Sequence, residues 1–353
     1  MICLDEVCKS FGENDVLRSL NLDAKHGEML VLLGPSGCGK TTTLSIIAGL
    51  EKEDRGDIYV DGARINNVPP EKRDIGFVFQ NYALFPHLSV FENVRFGLKA
   101  RGIDDKKRVK EALETVGLDG LDNMNPMKLS GGEQQRVALA RAIVTDPRCI
   151  LMDEPLSSLD AIARERLRYE MKRLQKEIGV TSIYVTHDQV EAMILGDQVA
   201  VLNKGTVEEV GIPEKIFYKP ESEFVARFVG MKNIFDGKVV SLDRDEGVMG
   251  VSTENFDLTA VFMPLGEGDR VKACIRPEEI ILMRSNQGTS ARNLISGKII
   301  NIFPNGHLMR VLVDVHGDEM SVDVTRLAVH NLKLKSGDDV HLTFKACSVH
   351  VIL

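Results

Sequence analysis

The octapeptide GPSGCGKT, Gly34 to Thr41, follows the apolar run MLVLL at residues 29–33 and runs on into TTTLSIIAGL at 41–50. It has the form G-x-x-x-x-G-K-[ST], set between a strand-like run and a helix-like one as phosphate binding requires. Gly34, Gly37 and Gly39 let backbone N–H groups curl around phosphate oxygens, and Pro35, Ser36 and Cys38 complete the loop. Lys40 is placed to reach the β- and γ-oxygens of a nucleotide and Thr41 to offer its hydroxyl to Mg²⁺, with Thr42 in the same first helical turn.

The surrounding chain fits an α/β sheet. DIGFVFQ (74–80), CILMD (149–153) and SIYVTHD (182–188) read as buried strands, and up to about residue 229 such runs alternate with helical patterns, the mark of a mainly parallel sheet with crossover helices. Leu167, Met171, Leu174 and Ile178 form one helical stripe that Gly179 ends. Residues 81–147, with the charged helical pattern KKRVKEALETVGL, read as a mostly helical insertion. CILMD ends in two carboxylates. Asp153 suits the coordination shell of Mg²⁺, and Glu154 suits a base that polarises water for in-line attack on a γ-phosphate. His187, directly after the strand SIYVT, is placed either to contact that phosphate or simply to lie at the surface.

LSGGEQQRVALARA, Leu129 to Ala142, poses a separate question. Ser130 and Glu133 form a capping box, and Val137, Ala140 and Val144 supply a buried stripe, so the helix is clear. Gly131 and Gly132 then each cost up to ~1 kcal/mol against alanine in its first turn. The reading open to residue types alone is either an ordinary capped helix or one whose bare amides meet an anion at the positive end of the macrodipole.

Composition limits what else the chain can do. With 353 residues and a net charge of −8, it is long enough for two domains and has no basic block of the kind nucleic acid requires. Its six cysteines form no C-x-x-C pair, so neither zinc nor a disulfide framework is expected, and a reducing cytosol fits. No run of 18 apolar residues occurs, so membrane association is expected only through a partner. From about Gly230 short period-two strands take over, such as Met309, Val311, Val313 and Val315 on one face, or Val340, Leu342 and Phe344 on another, and these predict a small all-β barrel of the OB kind.

The phosphate loop, LSGGEQ, the strand ending in Asp153 and Glu154, and His187, in this order, resemble the nucleotide-binding subunits of ATP-binding-cassette (ABC) transporters over the whole first domain. The resemblance implies an ATPase using ATP and Mg²⁺. It matches Phe11 to the aromatic that stacks on adenine, Gln80 to the glutamine linking Mg²⁺ to the transport partner, and Ser130, Gly131, Gly132, Glu133 and Gln134 to the signature motif. Ser157 to Asp160 match the loop after the catalytic strand, and His187 the switch histidine. It also implies a head-to-tail homodimer in which the signature motif of one chain closes on ATP held by the other, so that the two glycines serve the neighbour's nucleotide. Catalysis would then rest on Glu154, His187, Gln80 and Lys40, nucleotide binding on residues 34–42 with Phe11, Asp160 and residues 130–134, and metal binding on Thr41, Gln80 and Asp153.

The expected architecture is therefore α/β: a P-loop NTPase ABC cassette with a mixed sheet and helical subdomain over 1–230, then an all-β OB-like TOBE/Mop domain over 231–353. NYALFPHLSVFENV (81–94) resembles the segment of importer ATPases that receives a helix of the membrane subunit, and IPEKIFYKPESEFVARFVG (212–230) resembles importers of the maltose, ferric-iron, polyamine and molybdate group. That implies work on the cytoplasmic face of the membrane, with two permease subunits and an extracytoplasmic solute-binding protein. TSARNLISGKI (289–299) and FKACSVHVI (344–352) resemble the opening and closing strands of the molybdate-binding Mop fold. The resemblance implies an oxyanion site at Ser290, Ala291, Arg292, Lys345, Ala346 and Ser348, although Cys347 stands where a hydroxyl residue is usual. The cargo expected is molybdate or tungstate. Ferric iron, a sugar or a polyamine with a purely structural tail is the alternative, as is an ATP-dependent regulatory protein outside transport.

Overall fold

A computed structural model describes residues 1–285 and 289–353. The chain divides into two compact units, Met1–Ile216 and Phe217–Leu353.

The first unit is built on ten strands, β1 (Ile2–Phe11), β2 (Asn14–Ala24), β3 (Met29–Leu33), β4 (Arg55–Val60), β5 (Ala63–Arg64), β6 (Ile75–Val78), β7 (Cys149–Asp153), β8 (Thr181–Thr186), β9 (Gln198–Asn203) and β10 (Thr206–Gly211). Six form one sheet in the order β10-β9-β3-β8-β7-β6, parallel from β9 to β6 with β10 antiparallel at the edge. Every residue of β3 and β8 is buried, so their apolar runs reflect strands covered on both faces. A second, antiparallel sheet in the order β2-β1-β4-β5 was not legible as such in the sequence. Its strands bury Ile2, Leu4, Val7, Leu17, Leu20 and Ile58 in the core they share with the central sheet.

Six helices accompany these strands: α1 (Lys40–Ala48), α2 (Val90–Ala100), α3 (Lys106–Thr115), α4 (Gly131–Ile143), α5 (Ala161–Ile178) and α6 (Gln189–Leu195). The segment between β6 and β7 carries α2, α3 and α4, the helical insertion read from the sequence. Each of these three starts on a side-chain cap, Ser89, Asp105 and Ser130. Helix α5 buries Leu167, Met171 and Leu174 and stops at Gly179, whose φ of 66° is left-handed.

The second unit holds two five-stranded antiparallel sheets around one core. In spatial order, one runs Asp257–Val261, Val248–Thr253, Asn233–Asp243, Arg270–Ile275, Val349–Ile352. The other runs Ile281–Met283, Asp339–Phe344, Asn293–Asn305, Leu308–Val315, Asp318–Thr325. The alternating residues Val311, Val313, Val315, Val340, Leu342 and Phe344 all point into that core. The helix Glu223–Phe228 belongs to this unit because its Ala226 is buried with Met231, Cys274 and Ile352.

Candidate nucleotide site

The site lies where the parallel strands end. The loop of residues 34–39 follows β3, Gln80 follows β6, Asp153 ends β7, and His187 follows β8, so four adjacent strands deliver their C-terminal residues to one edge. The loop cannot carry side chains at its glycines. A Cβ on Gly34 would lie 2.3 Å from the Leu202 carbonyl oxygen, and Gly39, at φ 105°, would drive one to 2.6 Å from Leu17. The Lys40 ammonium lies across the loop, donating to the carbonyls of Gly34 (2.8 Å) and Pro35 (3.0 Å), while its stem is buried.

Arg73 fixes the far end of α1. Its guanidinium donates to the Ile46 and Ile47 carbonyls in the last turn of the helix at 2.7 and 2.8 Å, where Ile46 also accepts from the Gly49 N–H at 3.1 Å, and to the Val68 carbonyl at 2.8 Å. Burial draws its pKa below the usual guanidinium value. Nothing in the local pattern PPEKRD marks that arginine for this role, because the helix-end carbonyls it caps are 26 and 27 residues away.

The polar cluster is continuous. The Thr41 hydroxyl donates to Asp153 Oδ1 at 3.0 Å. Burial raises the Asp153 carboxyl above its ordinary range, opposed by the Thr41 hydrogen bond and reinforced by the charge of Glu154. Glu154 sits at φ 41°, a left-handed conformation rare outside glycine, and its N–H donates to the Val185 carbonyl at 3.0 Å. That turn carries its Oε1 to 3.1 Å from His187 Nδ1. Gln80 joins the cluster through Ser157: its Nε2 donates to Ser157 Oγ at 3.3 Å, and Ser157 Oγ donates to the Glu154 carbonyl at 2.8 Å.

Behind His187 lies a buried carboxylate that sequence reading missed. Glu191, 3 % exposed, accepts hydrogen bonds from the Tyr184 hydroxyl at 2.9 Å and the Thr186 hydroxyl at 2.7 Å. Thr186 Oγ1 in turn accepts from the Asp188 N–H at 3.0 Å, so the residues on both sides of His187 are tied together. Burial lifts the Glu191 pKa and the two hydroxyl hydrogen bonds oppose it.

Other predicted residues stand apart from this cluster. Among the described residues no hydrogen bond or ion pair joins 130–134 to 34–42. The Ser130 box closes as expected, its N–H and hydroxyl donating to Glu133 Oε2 at 2.8 and 2.7 Å, and these bonds hold the Glu133 carboxyl below its usual pKa. Gly131 and Gly132 have a reason inside the chain. A Cβ on the first would meet Leu159 at 2.7 Å, and on the second Leu167 at 2.9 Å, so the helix start packs directly on two leucines. The family resemblance had implied that the glycines serve the neighbour's nucleotide, whereas these contacts lie within the chain. Asp160 caps α5 by accepting from Ala163 N–H at 2.9 Å. Phe11 is 47 % exposed, with Lys9 Nζ 4.9 Å above its ring.

Comparison with known proteins shows the family. The family model described as ABC transporter matches residues 17–157, and that described as TOBE domain matches 289–351. The chain is 41% identical, over 100% of its length and 96% of the other's, to the spermidine/putrescine import ATP-binding protein PotA of Acetivibrio thermocellus. The chain belongs to the ATP-binding subunits of ABC transporters. Like PotA, the molybdate/tungstate import ATP-binding protein WtpC of Pyrococcus horikoshii is 41% identical, here over 99% of both chains. A solved ATP-binding cassette, dimeric and in a post-hydrolysis state with ADP and Pi, superposes with a TM-score of 0.54 at 37% identity, covering 60% of this chain and 99% of that one. This ABC subunit thus has the cassette as its first unit and the TOBE domain within its second, and no helix among the described residues is long and apolar enough to cross a membrane.

In the TOBE domain the strands that flank the two predicted oxyanion segments are neighbours, with Asn293 paired to Phe344. The Arg292 guanidinium is, however, held by the Glu246 carboxylate at 2.6 Å.

Proposed function

We propose that this ABC subunit powers an importer by hydrolysing ATP between two copies of itself, at the cytoplasmic face of a membrane containing two permease subunits and fed by an extracytoplasmic binding protein. The observation that carries this reading is the Glu154 and His187 pair, held at 3.1 Å at the strand edge that also presents the phosphate loop. ATP phosphates lie in the loop of residues 34–42, with Lys40 on the β- and γ-oxygens and Phe11 against adenine. Glu154 takes a proton from water as the water oxygen bonds to the γ-phosphorus, the bond to the bridging oxygen breaks, and ADP leaves with that electron pair. His187, with Nδ1 protonated, donates to the Glu154 carboxylate and fixes its direction.

The donor set fits Mg²⁺. Thr41, Asp153 and Gln80 offer hydroxyl, carboxylate and amide oxygens, all hard ligands, and the first two already converge at 3.0 Å. Bound there, the ion would neutralise charge on the β- and γ-phosphates.

Ser130 to Gln134 of one copy would close on nucleotide held by the other, with Asp160 at the same seam. The dimeric relative supports this, as does the lack of any in-chain bond from 130–134 to the loop. Between closures Gln80, tied through Ser157 to Glu154, would carry the state of the site toward the permease. A cleft of about 440 Å³ lined by His87, Leu88, Arg95 and Phe96 on the helical segment is suited to receive a permease helix.

For the cargo, most of the similar relatives are named for spermidine/putrescine, at up to 42% identity, and one is named for molybdate/tungstate, at 41%. The pairing of Asn293 with Phe344, next along the chain to Ser290, Ala291 and Arg292 and to Lys345, Ala346 and Ser348, favours the oxyanion, whose capture would require Arg292 to leave Glu246. Calorimetric titration of the full chain with molybdate, tungstate, sulfate and spermidine separates the cargoes. Phosphate release by the chain assembled with its permeases, against Glu154→Gln, tests the ATPase; undiminished release in that variant refutes it.

A further inference from the structure

A second cleft lies wholly within the TOBE-containing unit. It measures about 640 Å³ and is lined by Arg326, His330, Lys333 and Lys335 over a floor of Val329 and Leu334, with Met309 and Pro304 at its side. Its size is that of a small-molecule site, and the mixture of apolar floor and few charged groups is what such sites use. No acidic residue lines it. In a chain of net charge −8, Arg326, Lys333 and Lys335 form no ion pair within 4 Å among the described residues, and the acid whose pKa Lys335 lowers, Asp338, is already bound by Arg284 at 2.6 Å.

The backbone shapes the cleft. The helix Arg326–Asn331 ends in a Schellman motif, with Lys333 N–H donating to the His330 carbonyl at 3.1 Å and Leu334 N–H to the Val329 carbonyl at 3.0 Å. The residue after the cap in this motif adopts a left-handed conformation and is usually glycine. Here it is Lys333, at φ 48°. Left-handed backbone at a non-glycine residue carries strain, and here it sets Lys333 in the lining of the cleft. The same motif brings Val329 and Leu334 together as the apolar floor, while Arg326 and His330, four apart, share one helix face.

We propose that this cleft binds a phosphate monoester, its dianion held by Lys333, Lys335 and Arg326 and its organic part laid on Val329 and Leu334. Charge-assisted hydrogen bonds to a phosphate suit this cluster. The cleft is not the oxyanion position near Arg292: Pro304 lies eleven residues along the strand Asn293–Asn305 from its start, roughly 35 Å at ~3.3 Å per residue.

The test uses the full chain with Mg·ADP saturating the cassette. Phenyl phosphate and inorganic phosphate are titrated calorimetrically, and cosedimentation with phosphatidylglycerol vesicles is measured with phosphatidylcholine vesicles as control. Phenyl phosphate should bind at least tenfold tighter than inorganic phosphate. Lys333→Gly should raise Tm, because the strain is relieved, yet weaken phenyl phosphate at least fivefold, and Lys335→Glu should weaken it as much with Tm unchanged. Vesicle binding displaced by phenyl phosphate identifies the ester as a lipid headgroup; phenyl phosphate binding without vesicle binding identifies a free ester. Failure of both, or an affinity untouched by the two substitutions, overturns the site.

Discussion

His187 Nδ1 and Glu154 Oε1 stand 3.1 Å apart although 33 residues separate them, because both follow adjacent parallel strands at the same edge of the sheet. Removing the base should slow hydrolysis ~10²–10⁴-fold in Glu154→Gln, while ATP remains bound and drives association. Phosphate release and sedimentation with Mg·ATP check both halves. His187→Ala should slow release less, since it loosens the carboxylate without removing it.

Burial raises the Asp153 carboxyl, so the folded chain keeps that proton at pH values where the unfolded chain has lost it. The stability contributed at low pH is therefore lost as pH climbs from the unfolded value of about 3.9 through the raised folded one. Asp153→Asn keeps an acceptor for Thr41 without the charge. By calorimetry in the absence of nucleotide and metal, its Tm should exceed the parent's at pH 7, the gap closing toward pH 4. Hydrolysis should be lost in the same variant. Equal Tm values at pH 7 contradict the argument.

Ser130 separates a cap from a ligand contact. As a cap alone, Ser130→Ala should cost about 1 kcal/mol in urea unfolding. As part of the neighbouring chain's ATP site, it should also lower hydrolysis by the assembled transporter at least tenfold. Gly131→Ala is the poorer probe, because its new methyl would meet Leu159 at 2.7 Å and disturb the fold directly.

Arg73→Met should destabilise the first unit by about 1–3 kcal/mol, since at the end of the loop helix the Ile47 carbonyl loses its side-chain donor and Ile46 keeps only the Gly49 N–H. Urea unfolding measures that loss, and a raised KM for ATP follows if α1 then frays toward the loop.

The buried Glu191 predicts a different split. Glu191→Gln retains an acceptor for Tyr184 and Thr186, whereas Glu191→Ala leaves both hydroxyls buried without one. The alanine variant should lower kcat at nearly constant KM by releasing the chain around His187, and the glutamine variant should restore most of it.

The amino-acid order by itself determined the elements whose signals are local. The phosphate loop, the Ser130 capping box, the buried runs of β3, β7 and β8 and the alternating strands of the tail all depend on neighbours within a few positions. Spacing alone sets glycine freedom, helix faces and strand faces. Tertiary structure decided whatever depends on distant pairs. Thr41 meets Asp153 across 112 positions and Gln80 meets Ser157 across 77. Arg73 finds the end of α1, and two leucines account for the close approach at Gly131 and Gly132. The cleft over Val329 and Leu334 is of the same kind, for it exists only where a helix end, a strand end and three cations meet. No periodicity encodes such meetings, because the energy that selects them comes from burying and pairing groups that only the folded sheets bring within reach.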